Sequence, residues 1–387
     1  MYKIKLFNNI SQKGLNQFNN LFELGESIEN EDAILVRSAN LHALDYNPNL
    51  KAIARAGAGT NNIDISTCTK QGIVVFNTPG ANSNAVKELV FAGLLLASRD
   101  IYHGIEWCNK QKDNDNLSKD VEKQKKKYAG TELSGKTLGV IGLGAIGIQV
   151  ANLAIEFGMN VLGYDPFISV DNAWKMSRNV KHVENINDLF KESDFITLHI
   201  PLLDSTKNTI CKQAIENLKP GVKLLNFARG GLVDELALKE ALHKGIVKTY
   251  VTDFPSNVLI DEENVISIPH LGASTCESEE NCAIKAAQEL MEYLQYGNIL
   301  NSVNLPNASA PMESPYRVTL IHENKPKMIS QITEFLSKEE VNIENLINKS
   351  KKEIAYTIID LDKKLLPENL EQIKNINGMI RVNTYEM

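Results

Sequence analysis

Thr137-Leu138-Gly139-Val140-Ile141-Gly142-Leu143-Gly144-Ala145-Ile146-Gly147 decides the fold, answered a helix length later by Asn160-Val161-Leu162-Gly163-Tyr164-Asp165. An apolar strand, Thr137 to Ile141, runs into a G-x-G-x-x-G that opens a helix, the setting in which this pattern becomes a dinucleotide-binding fingerprint. Gly142 permits the tight turn, Gly144 lets the backbone approach a pyrophosphate, and Gly147 lets helix and strand pack closely. The helix N-terminus offers N–H groups and a positive dipole end to the phosphates. Ala145 and Ile146, lying between the glycines, are grouped with them as cofactor contacts. Asp165 follows eighteen residues after Gly147, at the end of a second apolar strand. A carboxylate there accepts from both ribose hydroxyls and repels a 2′-phosphate, which selects NAD over NADP.

Working outward, short apolar strands alternate with helical patterns from Lys3 to about Ala97, among them Ala33–Val36, Leu50–Ala54 and Ile73–Phe76. The fingerprint therefore opens the second α/β unit, which predicts a substrate half first and a cofactor half inserted after it. Strands are expected at Asp194–Ile200, Val222–Phe227, Lys248–Thr252 and Val265–Ile268. Pro201, Arg229, Asp253 and His270 lie at or just past such strand ends, where open parallel sheets bind ligands. Pro201, Thr206 and Asp253 are assigned to the cofactor. A helix over Glu277–Tyr296 returns the chain to the first half, and residues 304–311, rich in Asn, Pro and Ser, read as a linker. Beyond it a βαββαβ module is predicted. The expected fold class is α/β, with two doubly wound parallel sheets and a C-terminal ferredoxin-like domain. The boundaries are 1–97 with 284–305 for substrate, 98–283 for NAD, 306–314 for the linker and 315–387 for the last module.

Composition narrows the function classes. The 387 residues carry a formal net charge of −7 and 43% hydrophobic content, an ordinary globular balance with no general attraction to nucleic acid or an anionic membrane. Residues 109–127 are almost wholly polar and read as a solvated connector. Five scattered cysteines without C-x-x-C spacing suit reduced core thiols, so neither a metal site nor a disulfide framework is expected. The longest apolar run, Leu89–Ala97, is far short of the ~20 residues that span a bilayer, and a cytoplasmic protein is the expectation.

Hydride transfer requires a cation for the substrate's carboxylate and carbonyl, and an acid–base group for the alcohol proton. Arg229, in Asn226-Phe227-Ala228-Arg229-Gly230-Gly231, has the planar fork for the first. His270, in Pro269-His270-Leu271-Gly272-Ala273-Ser274-Thr275, suits the second, because histidine as a residue type exchanges a proton near neutral pH. His199, before Pro201, competes with it in a similar setting, and the other five histidines read as surface or packing residues.

Four stretches taken together, Arg55–Asp64, the glycine fingerprint, Asn226–Glu235 and Pro269–Thr275, resemble the D-isomer-specific 2-hydroxyacid dehydrogenases. The resemblance implies that Arg229 binds and polarises the 2-oxo acid, that His270 is the general acid/base, and that the Ala58 and Gly59 N–H groups receive the substrate carboxylate. It places Arg37, Ser38, Arg55 and Asn82 around the substrate and its phosphate. The reaction implied is NAD-linked oxidation of 3-phospho-D-glycerate to 3-phosphohydroxypyruvate, which leads to L-serine. A glyoxylate or hydroxypyruvate reductase on the same scaffold is the alternative, and a non-enzymatic NAD-sensing corepressor the alternative from another class. The tail resembles an ACT domain, which implies an L-serine effector held by His322, Asn324 and Asn342 and a homodimer or homotetramer; Lys327 stands where the family commonly has glycine. A second departure lies at Thr252-Asp253-Phe254-Pro255-Ser256-Asn257. Asn257 falls where the family's histidine-pairing glutamate would, and Thr252 where its cofactor-contacting aspartate would. Asp253 is expected to replace the cofactor carboxylate, leaving His270 with a neutral partner and an acid limb lower than in relatives that have the glutamate.

Overall fold

The alternation of short apolar strands with helices builds two parallel sheets, followed by one antiparallel sheet. The computed structural model describes residues 1–387. It divides into two units, Met1–Asn82 with Cys276–Met387, and Ser83–Thr275.

In the first unit β1 (Tyr2–Phe7), β2 (Phe22–Gly25), β3 (Ala33–Val36), β4 (Ala52–Arg55) and β5 (Val74–Asn77) form a parallel sheet in the order β2-β1-β3-β4-β5. β3 is buried along its whole length, as expected of a strand covered on both faces. In the second unit β6 (Thr137–Ile141), β7 (Asn160–Tyr164), β8 (Val180–His182), β9 (Phe195–Leu198), β10 (Val222–Asn226), β11 (Val247–Thr252) and β12 (Val265–Ser267) form a parallel sheet, ordered β12-β11-β10-β9-β6-β7-β8. The order reverses between β6 and β9, and the crevice at such a switch point is where open α/β sheets take ligands. The first unit ends with β13 (Tyr316–Glu323), β14 (Ile343–Lys351), β15 (Ile354–Leu361) and β16 (Met379–Glu386), an antiparallel sheet in the order β14-β15-β13-β16. Its helices Met328–Lys338 and Pro367–Lys374 pack Ile332, Leu336 and Ile373 onto one face of the sheet.

The unit boundaries differ from those expected at 97/98 and 283/284, because the flanking helices follow their packing. A Cβ on Gly93 of helix Ser83–Ser98 would lie 2.8 Å from the Phe227 ring, so this helix rides on β10. Helix Cys276–Tyr296 buries Ala283, Ala286 and Leu290 with Ile4, Leu35 and Ala54 of the first sheet. The expected connector at 109–127 is largely helical, within Ile101–Asn109, Leu117–Gln124 and a 3₁₀ turn over Lys125–Tyr128, and none of their residues is buried.

The stretch read from composition as a linker is partly buried. Leu305, Pro306, Ala308 and Ala310 are buried, and Ala308 pairs with Ile299 in an antiparallel bridge. Arg317, wholly buried, fastens the stretch: its Nε and Nη2 bond the Asp360 carboxylate at 2.5 and 3.0 Å, and it donates to the carbonyls of Tyr296, Ala310 and Pro311. Tyr356 Oη donates to Gly297 O at 2.7 Å, and Ile321, Tyr356 and Ile358 share a core with Phe76 and Tyr293. Composition reads this segment as a spacer, whereas the buried guanidinium turns its carbonyls into acceptors.

Candidate active site

The glycine turn is built as its residue types require. Gly142 has φ +94°, a region that L side chains rarely enter, and a Cβ there would press on the His199 carbonyl at 2.6 Å. A Cβ on Gly147 would collide with the Gly142 carbonyl oxygen. Around Gly144 no atom lies within 4 Å of an added Cβ, so the backbone there is open to a ligand. The helix Gly147–Glu156 begins without a side-chain cap, which leaves its N-terminus to a phosphate. Asp165 closes β7 and accepts from Leu143 N at 2.8 Å and Phe167 N at 2.9 Å, one bond on each oxygen. The carboxylate is held against the turn with lone pairs remaining for ribose hydroxyls. Thr206 Oγ1 donates to Pro201 O at 2.6 Å and accepts from Leu203 N at 2.8 Å, which ties down the loop after β9. The open Gly144, the uncapped helix and the aspartate at the end of β7 together fit a dinucleotide.

Arg229, Asp253 and His270 converge at the carboxyl ends of β10, β11 and β12. Arg229 is exposed on the loop after β10, where Asn226, itself buried, shapes the turn: its Oδ1 accepts from Ala228 N and Arg229 N, and its Nδ2 donates to Arg229 O at 2.9 Å. Asp253, just beyond β11, is fully buried; its Oδ2 accepts from Gly272 N at 3.3 Å and its Oδ1 is sealed without a hydrogen-bond partner. Burial raises its carboxyl above the ordinary range, opposed by the positive potentials of His270 and Arg229. His270 is exposed, its ring tilted against Phe254 with centroids 4.7 Å apart. Asn257 lies exposed on the turn beyond.

His199 drops out as a proton-transfer group. Its Nε2 meets Thr197 Oγ1 at 3.0 Å, its Nδ1 is sealed without a partner, and burial pushes its pKa down to about 3. It stays neutral across the physiological range while its carbonyl crowds Gly142. Asn226, which sequence reasoning missed, carries one local signal: an Asx residue at a strand end whose side chain binds the N–H groups two and three residues on.

In the first unit Arg37 follows β3 and Arg55 ends β4. Arg55 Nε donates to Arg37 O at 3.0 Å, and Arg37 Nη2 pairs with Glu279 Oε1 at 2.5 Å. Ala58 and Gly59 form the loop after β4, and the Ala58 carbonyl accepts from Asn77 Nδ2 at 2.6 Å. The Ser38 and Ala39 N–H groups both bond Asn8 Oδ1, at 2.9 and 2.7 Å, a contact that sequence reasoning also missed. Asn82, half-buried, ends the segment.

The residues assigned to an effector do not come together within one chain. His322 is buried, its ring spanning Glu323 O at 2.8 Å and Thr357 Oγ1 at 2.9 Å, and burial lowers its pKa. Asn324 Nδ2 donates to Lys352 O at 3.0 Å near the same end of the sheet. Asn342 precedes Ile343, which pairs with Leu361 and so lies level with Tyr316, whereas His322 lies level with Ala355. At ~3.4 Å per residue the two ends are about 20 Å apart.

Residues 91–272 match the family described as D-isomer specific 2-hydroxyacid dehydrogenase, NAD binding domain. A D-3-phosphoglycerate dehydrogenase of Methanocaldococcus jannaschii is 40% identical over 294 residues, covering 74% of this chain and 54% of its own. The chain thus spans about half the length of the first curated relatives that it matches. The Haemophilus influenzae D-3-phosphoglycerate dehydrogenase is 33% identical over 374 residues, 93% of this chain and 88% of its own. Among solved structures, an NAD⁺-bound 3-phosphoglycerate dehydrogenase of Entamoeba histolytica aligns with a TM-score of 0.60 at 28% identity, over 78% of this chain and 98% of that one.

Proposed function

This chain belongs to the D-isomer-specific 2-hydroxyacid dehydrogenase family, and from that premise we propose that it oxidises 3-phospho-D-glycerate to 3-phosphohydroxypyruvate with NAD. The observation that carries the reading is the convergence of Arg229, Asp253 and His270 at the strand ends of the sheet that also bears the glycine turn. Gly142, Gly144, Gly147 and Asp165 would hold the dinucleotide, with Ala145, Ile146, Pro201 and Thr206 beside it. Bound NAD supplies the hydride acceptor. Arg229 grips the substrate's carboxylate and 2-oxygen through its planar fork. His270 takes the hydroxyl proton as the C2 hydride departs, and returns it in the reverse direction. Ala58 and Gly59 offer N–H groups to the carboxylate; Arg37 and Arg55, with Ser38 and Asn82, meet the phosphate that the acidic protein would otherwise repel. Arg229→Gln and His270→Gln should each lower kcat/KM for 3-phosphohydroxypyruvate by at least a hundredfold while NADH binding persists. Turnover at the wild-type rate in both variants would refute these roles.

The antiparallel module reads as ACT-like from its strand order, and L-serine is its proposed effector. Because His322 and Asn324 lie near one end of the sheet and Asn342 at the other, a site using all three draws on two copies of the chain. The helical arm Ile101–Tyr128 supports a homo-oligomer: it leaves Tyr102, Ile105, Leu117 and Val121 about 40–55% exposed, with no core of its own.

A further inference from the structure

The glutamate that family resemblance leads one to expect beside the catalytic histidine is absent, and an asparagine, exposed on its turn, stands in its position. The carboxylate has not been lost from this corner of the molecule. It sits one residue past β11, on a fully buried side chain. Strand residues alternate between faces, so moving an acid by one position changes the side it serves. Thr252, at the position of the cofactor-side aspartate, is turned inward and consumed: its Oγ1 donates to Asn226 O at 3.0 Å and accepts from Phe254 N at 3.1 Å. Asp253 is thereby directed at the segment carrying His270. Two contacts bind the segments together, the Phe254 ring on the His270 ring and the Gly272 N–H on Asp253 Oδ2. The second carboxylate oxygen has no hydrogen-bond partner and no access to water. An orphaned, buried carboxylate oxygen is costly unless something completes it during function.

We propose that Asp253, read from the sequence as replacing the cofactor-side carboxylate and leaving His270 with a neutral partner, is instead the positioning residue for His270, supplying from the end of β11 the carboxylate that orients the imidazole and balances its charge when it holds the substrate proton. This inference rests on the dehydrogenase reading. The charged and titratable neighbours of Asp253 are Arg229 from the loop after β10, Tyr250 from β11 and His270 from the loop after β12. The proton itself stays on His270, and Asp253 remains ionised while the imidazolium exists, as in a triad whose acid orients and stabilises without being protonated.

The test is the pH dependence of 3-phospho-D-glycerate oxidation by the full chain and its variants. Oxidation needs neutral His270, so its acid limb marks the loss of that form; removing a nearby negative charge favours the neutral form and moves the limb to lower pH. Asp253→Asn should shift the acid limb down by about one pH unit and lower kcat about tenfold or more. KM and the NADH dissociation constant should stay within about threefold of the wild type, as expected for an interaction made chiefly in the transition state. Asp253→Glu keeps the charge but displaces it, so the limb stays and kcat falls several-fold; this variant serves alone should Asp253→Asn not fold. An unmoved limb in Asp253→Asn, a wild-type kcat in Asp253→Glu, or a loss of NADH binding that accounts for the whole loss of rate would overturn the proposal. A wild-type chain that turns over no 2-oxo acid refutes the dehydrogenase reading and this inference with it, whereas an active wild type with an unshifted Asp253→Asn refutes the inference alone.

Discussion

Gly144 and Gly147 stand three residues apart and carry different constraints. With no atom near an added Cβ, Gly144→Ala should fold with stability within about 0.5 kcal/mol of wild type yet lose NADH affinity, because the methyl group occupies the face left open to a ligand. Gly147→Ala places its methyl against the Gly142 carbonyl and should destabilise by about 1–3 kcal/mol. Thermal unfolding and NADH fluorescence on both variants check the division. Lys327, which caps helix Met328–Lys338 at φ +69°, is a non-glycine residue in the left-handed region. Lys327→Gly should therefore stabilise the fold by roughly 0.5–1 kcal/mol in urea unfolding. Residue-scale features that depend on local geometry were legible in the sequence: the glycine turn, Asp165 and the strand-end positions of Arg229 and His270. Features that depend on what faces a side chain across space were not. Nothing near His199 in the sequence announces a sealed imidazole, and Asn8 and Asn226 look like ordinary turn residues until the N–H groups that donate to them are seen.

At the scale of elements, periodicity located β6, β7 and β3 to the residue and helix Cys276–Tyr296 to within one, since these are apolar runs with clear ends. β14 gave no such signal because it is a half-exposed edge strand without clean alternation, and the helical arm was hidden by its polarity. The stretch before β13 misled for a different reason. Its Pro, Ser and Asn content is that of a linker, whereas Arg317, the Ile299–Ala308 bridge and the bond from Ala310 N to Asn298 Oδ1 pin it down. Arg317→Met removes one side of a buried ion pair and leaves Asp360 charged and uncompensated, so it should cost about 3–5 kcal/mol, read by denaturant unfolding. Helix Cys276–Tyr296 also carries Glu289, 3% exposed, with Oε1 accepting from Asn301 Nδ2 at 2.7 Å and burial pushing its pKa up to about 7. The folded state then binds more protons than the unfolded one between the ordinary glutamate value of ~4.3 and about 7. This contribution to stability is full below that window and is lost as pH rises through it. Glu289→Gln should flatten the dependence, removing a loss on the order of 2–3 kcal/mol between pH 5 and 8.

At the scale of the whole molecule, Arg37 and Arg55 belong to the first unit, and the glycine turn, Arg229 and His270 to the second. No helix is long and apolar enough to cross a membrane. If the proposed homo-oligomer forms through the apolar side chains exposed on the arm, Ile105→Lys with Val121→Lys should lower the mass seen in sedimentation; a monomeric wild type, or an unchanged mass in the variant, would contradict that contact. The most direct test of the central claim is the steady-state ratio of kcat/KM for 3-phosphohydroxypyruvate over unphosphorylated hydroxypyruvate, with NADH, in the wild type and in Arg37→Gln with Arg55→Gln. The expected result is a strong preference for the phosphorylated acid that collapses in the double variant, with hydroxypyruvate turnover little changed. Equal or reversed preference in the wild type would contradict the phosphoglycerate assignment and make the chain a reductase of unphosphorylated 2-oxo acids.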